Sequence, residues 1–340
     1  MRNVSALLGL VAFLLTNTAI AGAETSAQRP IGELKPIATV RIGKTADWVA
    51  VTPDAVWVGA TGPNAVHKID PRSNTEVAST ALPGEPCAGL VTGFGSLWVP
   101  LCGAKPALAK VELSTNRLLS VLDFATAPEC GIAASEDSIW IAVDTQGTLI
   151  RVDPHSGAAR QRIGKLPAGS CNPRYSHGIV WVTSAQGAEL TAVDAATGAV
   201  LPTRIPTGPK PRFLTDGAGA IWTLNQGDGS LTRVDIASRR ATASIALGTP
   251  GHGGDVAFGA NMVWTTMAGT PLTAIDAATG TVYRQWTGPG GDSLGISHDS
   301  IWLTDYHQGT ITRLRISDAL ATGAQRRESR EAPAARRGAH

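Results

Sequence analysis

The sequence predicts an all-β fold: a seven-bladed β-propeller of four-stranded blades, closed by an N-terminal strand that completes blade seven. Three observations predict it. An apolar residue followed by Trp and a β-branched or small residue recurs at Trp57, Trp98, Trp140, Trp181, Trp222, Trp264 and Trp302, at intervals of 41, 42, 41, 41, 42 and 38 residues. That spacing is the length of one propeller blade. A second phrase keeps the same period, as Lys68-Ile69-Asp70, Lys110-Val111-Glu112, Arg151-Val152-Asp153, Ala192-Val193-Asp194, Arg233-Val234-Asp235, Ala274-Ile275-Asp276 and the degenerate Arg313-Leu314-Arg315. Finally, 38 Gly and 21 Pro against only 16% charged residues fit many short strands joined by tight turns.

Each element follows from these phrases. In the second repeat, residues 88–92 read as a short inner strand, 97–101 as the Trp-bearing strand, 108–112 as the third and 116–122 as the fourth, with Gly, Asn, Asp and Ser at the breaks. A Trp at one repeat position fills the gap between neighbouring sheets, where full burial contributes on the order of 2 to 3 kcal/mol. The Asp of the second phrase precedes small turn formers, as in Asp153-Pro154-His155-Ser156-Gly157 and Asp276-Ala277-Ala278-Thr279-Gly280. Its carboxylate accepts backbone N–H groups two residues on and nucleates the turn, so these acids are structural. The last repeat stops after its third strand, at 311–316, while residues 36–42 read like an outer strand and supply the missing one. Such a splice removes exposed edges.

The ends are different. Arg2, an apolar run from Leu7 to Leu15 and Ala21-Gly22-Ala23 make residues 1–23 a secretory signal cut before Glu24, too short in its apolar part to span a membrane. Residues 24–34 are expected to be a flexible segment, 35–318 the propeller, and 319–340 a disordered basic tail. The tail carries Arg326, Arg327, Arg330, Arg336 and Arg337 against Glu328 and Glu331, and is either a weak contact for acidic surfaces or a solvated leftover. Loss of Arg2 leaves 28 basic residues (29 less one) against 27 acidic ones. This balance lacks the basic, aromatic-studded face of a nucleic-acid binder. A secreted monomer, periplasmic or extracellular, with no transmembrane segment is expected.

Asp137-Ser138-Ile139-Trp140, Asp299-Ser300-Ile301-Trp302 and Ile275-Asp276-Ala277-Ala278-Thr279-Gly280 resemble the repeats of secreted propellers of the streptogramin (virginiamycin B) lyase-like and YVTN type. The resemblance covers residues 35–317. It implies the propeller fold, and in its lyase branch a metal-assisted elimination using His residues and an acid near the channel mouth. The His-Gly-Ile phrase of that branch is missing here: the matching positions read Gly253-Gly254-Asp255 and Gly291-Asp292-Ser293, and only His252 and His307 approach the same face.

Repetition marks scaffold, so departures from it mark candidate function. Around the expected channel mouth these are Asp47, Trp48, Lys105, Glu129, Arg174, Lys210, Arg212, His252, Asp255, Asp292, Asp305, Tyr306 and His307. Asp47, Trp48, Arg174, Arg212 and Tyr306 are candidate ligand contacts, and Trp48 either stacks on a ligand or packs at the closure. Asp255, Asp292, Asp305 and His307 are candidate ligands for a divalent cation, or turn-forming acids around a water-filled channel. His307 and His252 are the candidate catalytic groups. Cys87 and Cys102 flank one hairpin and Cys130 and Cys171 each lie ten residues before a repeat Trp in adjacent blades. This predicts the disulfides Cys87–Cys102 and Cys130–Cys171, with a soft-metal site as the alternative use of the thiols. Two functions stay open: a module binding a small molecule or protein at the polar channel mouth, or a metal-assisted lyase or hydrolase acting on a cyclic ester or lactone.

Overall fold

The computed structural model describes residues 28–248 and 250–321. The expected signal segment and nearly all of the basic tail therefore lie outside the described residues. Seven sheets ring a common axis, each built on an antiparallel meander. Blade one consists of Thr45–Val51, Val56–Thr61, Ala65–Asp70 and Thr75–Ala81 from the axis outward. Blades three to five repeat that plan. Blade two has its inner strand broken into Glu85–Pro86 and Val91–Gly93. Blade seven is Leu294–Ser297, Ser300–Asp305 and Thr310–Arg315, and its outer strand is Ala38–Arg41, paired antiparallel with Thr310–Arg315. The closure expected from residues 36–42 is thus the one observed.

The seven repeat Trp residues are each 0 or 1% exposed, and each lies against the next blade. Trp57 packs with Leu97, Val99 and Val111, Trp140 with Val180 and Val182, and Trp302 with Val56, Val58 and Ile69 of blade one. The charged residue of the second phrase sits beside it. Strand register places Lys68 opposite Trp57, Lys110 opposite Trp98, Arg151 opposite Trp140, Arg233 opposite Trp222 and Arg313 opposite Trp302. The cations lie 5.0 to 5.7 Å from the ring centroids, within cation–π range. Four of them then reach the Asp- or Glu-nucleated turn of the following blade: Lys68 Nζ donates to Leu113 O, Lys110 Nζ to Pro154 O, Arg151 Nη1 to Ala196 O and Arg313 Nη1 to Pro71 O. The turn acids behave as expected. Asp153 Oδ1 accepts the N–H groups of His155 and Ser156, and Asp276 Oδ1 those of Ala278 and Thr279. The Ser156 and Thr279 N–H groups are the leading reasons that both carboxyls are held below the usual range.

Two boundaries differ from expectation. Residues 28–34, expected to be flexible, lie on blade six: Gln28–Pro30 pairs parallel with Val282–Thr287 as a fifth strand, a 3-10 turn spans Ile31–Glu33, and Leu34 is buried with Trp264 and Trp286. Their Pro and Gly content masks two apolar anchors, Ile31 and Leu34, which find a seat on the core between blades six and seven. At the other end a helix, Ile316–Leu320, runs past the expected limit at 318, because Ile316 and Ala319 are buried.

Both disulfides pair as expected, Cys87 with Cys102 and Cys130 with Cys171, and no described cysteine is free. They sit where inner strands are shortest. Blade two has the broken strand, blade three has only Ile132–Ala134, and Cys130–Cys171 ties blade three to blade four.

Replacing Arg313 by Met should lower stability by about 1 to 3 kcal/mol, since the side chain lies over Trp302 and binds blade one. Arg233→Met should cost less than about 1 kcal/mol, because Arg233 bonds only Thr242 of its own blade. Urea unfolding of the two variants checks the ranking, and equal losses would refute an interblade role.

Candidate functional site

The side chains that break the repeat are aimed by irregularities in the inner strands. A bulge between Asp47 and Val49 in blade one, one between Ser170 and Pro173 in blade four and one between Pro211 and Leu214 in blade five all lie at the same end of the channel. An extra residue in a strand turns its side chain out of the alternating pattern. The result here is that Trp48, Asn172 and Phe213 border the channel, Asn172 while also lying against Gly131 of blade three.

Trp48 takes a left-handed φ of 58°, a conformation unusual for a bulky residue. Its N–H is held by Asp47 Oδ1 at 2.7 Å and Ser293 Oγ at 3.1 Å. The indole crosses the axis to Phe213 of blade five, with ring centroids 6.2 Å apart. It is 6% exposed and, packed on Phe213, plugs the channel at this level.

Above this plug, between blades six and seven, lies a cavity of about 440 Å³ lined by His252, Asp292, Asp305, Tyr306 and His307. A smaller crevice of about 40 Å³, between blades one and two, is lined by Asp47, Trp48, Glu85, Glu129 and again Tyr306. Tyr306 therefore joins the two, its ring edge-on to His307 at 5.4 Å. The expected acidic arc of blades six, seven and one is present. Sequence reading left out Glu85, Ser293 and Phe213 from the candidates; only Phe213, next to Arg212, carried a signal, as an aromatic at a channel position.

The arc is strongly acidic. Burial raises the Asp47 carboxyl well above the usual carboxylate range, and Asp292 and Glu129 push it further, against hydrogen bonds from Ser293 Oγ and the Trp48 N–H. Asp292 is also raised, first by burial and then by Asp305, although the Gly254 N–H and His307 favour its charged form. Asp255 borders the channel space yet lies deep inside the ring, and burial pushes it up to about 7 despite the N–H groups of Val256 and Leu294 on its two oxygens.

The expected basic contacts offset this charge only in part. Arg212 reaches across the rim to Glu129, with Nη2 2.8 Å from its backbone oxygen and 3.8 Å from Oε2. Arg174 is farther down the channel and pairs with Asp216 at 2.7 Å. The four residues expected to hold a divalent cation are also divided: Asp255 faces the channel below the plug, whereas Asp292, Asp305 and His307 line the cavity above it. Among the described residues no group of three or more His, Cys, Asp or Glu is placed to hold a metal ion. Both oxygens of Asp255 and Oδ1 of Asp292 are turned onto backbone N–H groups.

Compared with known proteins, the chain matches no family profile and no curated sequence. The likeness to lyase-like and YVTN propellers is therefore one of repeat and fold, which many functions share.

Buried carboxyls with raised proton affinity stabilise the fold when protonated. For Asp255 that contribution is complete below the unfolded value near 4 and is lost as pH rises through about 7. Melting temperature should accordingly be lower at pH 8 than at pH 5.5, by the equivalent of a few kcal/mol at most, with Asp47 and Asp292 acting in the same sense. Asp255→Asn should shrink the difference. A melting temperature that rises across this interval would contradict the assignment.

Proposed function

We propose that this propeller is a binding module of an oxidising compartment, periplasmic or extracellular, that takes the basic group of a small molecule or protein partner at the acidic mouth of its channel. One observation carries the reading. Asp47 and Asp292, brought together from blades one and seven by ring closure, meet further carboxylates in Glu129 and Asp305, opposed at Asp292 by His307, and Arg212 at the rim is engaged by Glu129. A cationic group entering the mouth would relieve that repulsion and form charge-assisted hydrogen bonds.

The two disulfides support the compartment, and among the described residues no helix is long and apolar enough to cross a membrane. Binding is favoured over the lyase or hydrolase alternative because, among the described residues, no group of three or more His, Cys, Asp or Glu is placed to hold a metal ion.

Titration calorimetry with spermidine, and separately with a short arginine-rich peptide, tests the proposal. Binding should weaken with salt, and Asp292→Asn should reduce affinity by about tenfold, the equivalent of one charge-assisted hydrogen bond. Asp54→Asn, in an exposed turn, should leave it unchanged. If neither probe binds, or if Asp292→Asn binds as tightly as the parent, the reading fails.

A further inference from the structure

Three of the six large apolar side chains exposed among the described residues belong to one short strand: Leu118 at 36%, Leu119 at 49% and Val121 at 43%. That strand, Leu118–Leu122, is the outermost of blade two and has a neighbour on one side only. An uncovered edge of this kind is a template for another strand, and charge, Pro or a covering segment usually guards it. Every other outer strand carries a charged residue, such as Glu76 in blade one or Arg160 and Arg162 in blade three, and that of blade six is also covered by Gln28–Pro30. Leu118-Leu119-Ser120-Val121-Leu122 has none of these devices.

The strand bends at a bulge opposite Val111, as the outer strands of blades one and three to six do at the same point. The bulge does not close the edge. Blade six shows this, for Gln28–Pro30 pairs with residues 285–287, just beyond its bulge. These are the counterparts of residues 121–123 in blade two, since Arg284 lies opposite Ala274 and Ser120 opposite Lys110, the same position of the second repeated phrase.

Charge stands at the two ends of this edge. Arg117 precedes the strand and Asp123 follows it, both exposed, and neither belongs to an ion pair among the described residues. The run Arg117-Leu118-Leu119-Ser120-Val121-Leu122-Asp123 is therefore self-complementary. Reversed about Ser120, it sets Arg117 against Asp123, Leu118 against Leu122 and Leu119 against Val121. Such a strand matches a second copy of itself turned about a two-fold axis, with apolar pairs in the middle and opposite charges at the ends.

From this symmetry we infer that blade two pairs edge to edge with blade two of a second copy of the chain, antiparallel about a two-fold axis at Ser120. Residues 117–119 of each copy then lie along residues 121–123 of the other, and two Arg117–Asp123 ion pairs close the ends. A contact of one strand edge buries less than about 1,000 Å², so the dimer is a weak one that dissociates on dilution. This departs from the monomer expected from the sequence, in which the exposure of an edge is not visible. The contact lies on the circumference of the ring, away from the channel, and holds whether or not the mouth binds a cation.

Sedimentation equilibrium of the parent protein tests it. Between about 5 and 500 μM the weight-average mass should climb from that of one chain towards twice that value and stop there. Arg117→Asp, which sets an acid against Asp123 at both ends, should raise the dissociation constant at least about tenfold, and so should Asp123→Arg. Combining the two reverses both pairs and should restore the parent value. Leu119→Lys should leave a monomer, whereas Val77→Lys, at the same bulge position on the charged outer strand of blade one, should change nothing. A monomer at every concentration would leave the edge to a strand of another protein and overturns the inference. Mass that grows past the dimer overturns it too, and so does a double variant that dimerises no more tightly than Arg117→Asp alone.

Discussion

The ring depends on a three-part contact in which a Lys or Arg lies flat over its blade's Trp and hands its remaining N–H to the turn of the next blade. The Trp fills the space between two sheets, the cation covers the ring, and the acid of the following repeat shapes the turn whose carbonyl receives the bond. The two repeated phrases are therefore one interaction read in halves. Lys68 needs the turn built by Glu112, Lys110 the turn built by Asp153, and Arg313 closes the circle on the turn of Asp70. A cation beside an aromatic face with its head group on a carbonyl is worth more than an exposed ion pair, because less of it is given up to water.

The contact is not uniform. In blades four and six the cation is replaced by Ala192 and Ala274, and in blade five Arg233 stays within its own sheet. In blade six register brings Arg284 of the outer strand opposite Ala274, but its guanidinium lies over Tyr283, 5.8 Å from the ring centroid. Glycines adjust the axis where blades come close: a Cβ at Gly295 would lie 2.6 Å from Val51 of blade one, so ring closure requires that position to be bare.

The scaffold was legible because it is repetitive. Seven Trp residues, the turn acids, the outer strand from 36–42 and both disulfides follow from period and hairpin spacing alone. What was not legible came from features without a period. The bulge that turns Trp48 into the channel leaves no mark on residue type, and Asn172 lies between Cys171 and Arg174 with nothing to single it out. The candidate acids were found as departures from the repeat, but whether their oxygens face one another or a backbone N–H depends on atomic placement. This is why Asp255 and Asp292 reach the channel without forming a joint donor set with Asp305 and His307. Residues 28–34 show the opposite failure. Two apolar side chains in a Pro- and Gly-bearing stretch are enough to dock it, yet too few to show periodicity.

Between blades six and seven, where the Trp–cation contact is missing, acidic residues of the channel take over the task of joining the sheets. Asp255 of blade six accepts the Leu294 N–H of blade seven, Asp292 accepts the Gly254 N–H in the reverse direction, and Thr266 Oγ1 donates to the Asp292 carbonyl. Gln226 of blade five bonds Gly253 in the same way. A carboxylate that fastens two blades through backbone N–H groups is fixed in position and cannot swing to another partner. It therefore presents its remaining acceptor capacity to the channel in a constant geometry, which is the condition for recognising a ligand without first reorganising. The same placement raises the cost of its charge, since the position is set by ring closure rather than by access to water. Under the proposed function, a cation held at the mouth would therefore strengthen the seam it touches.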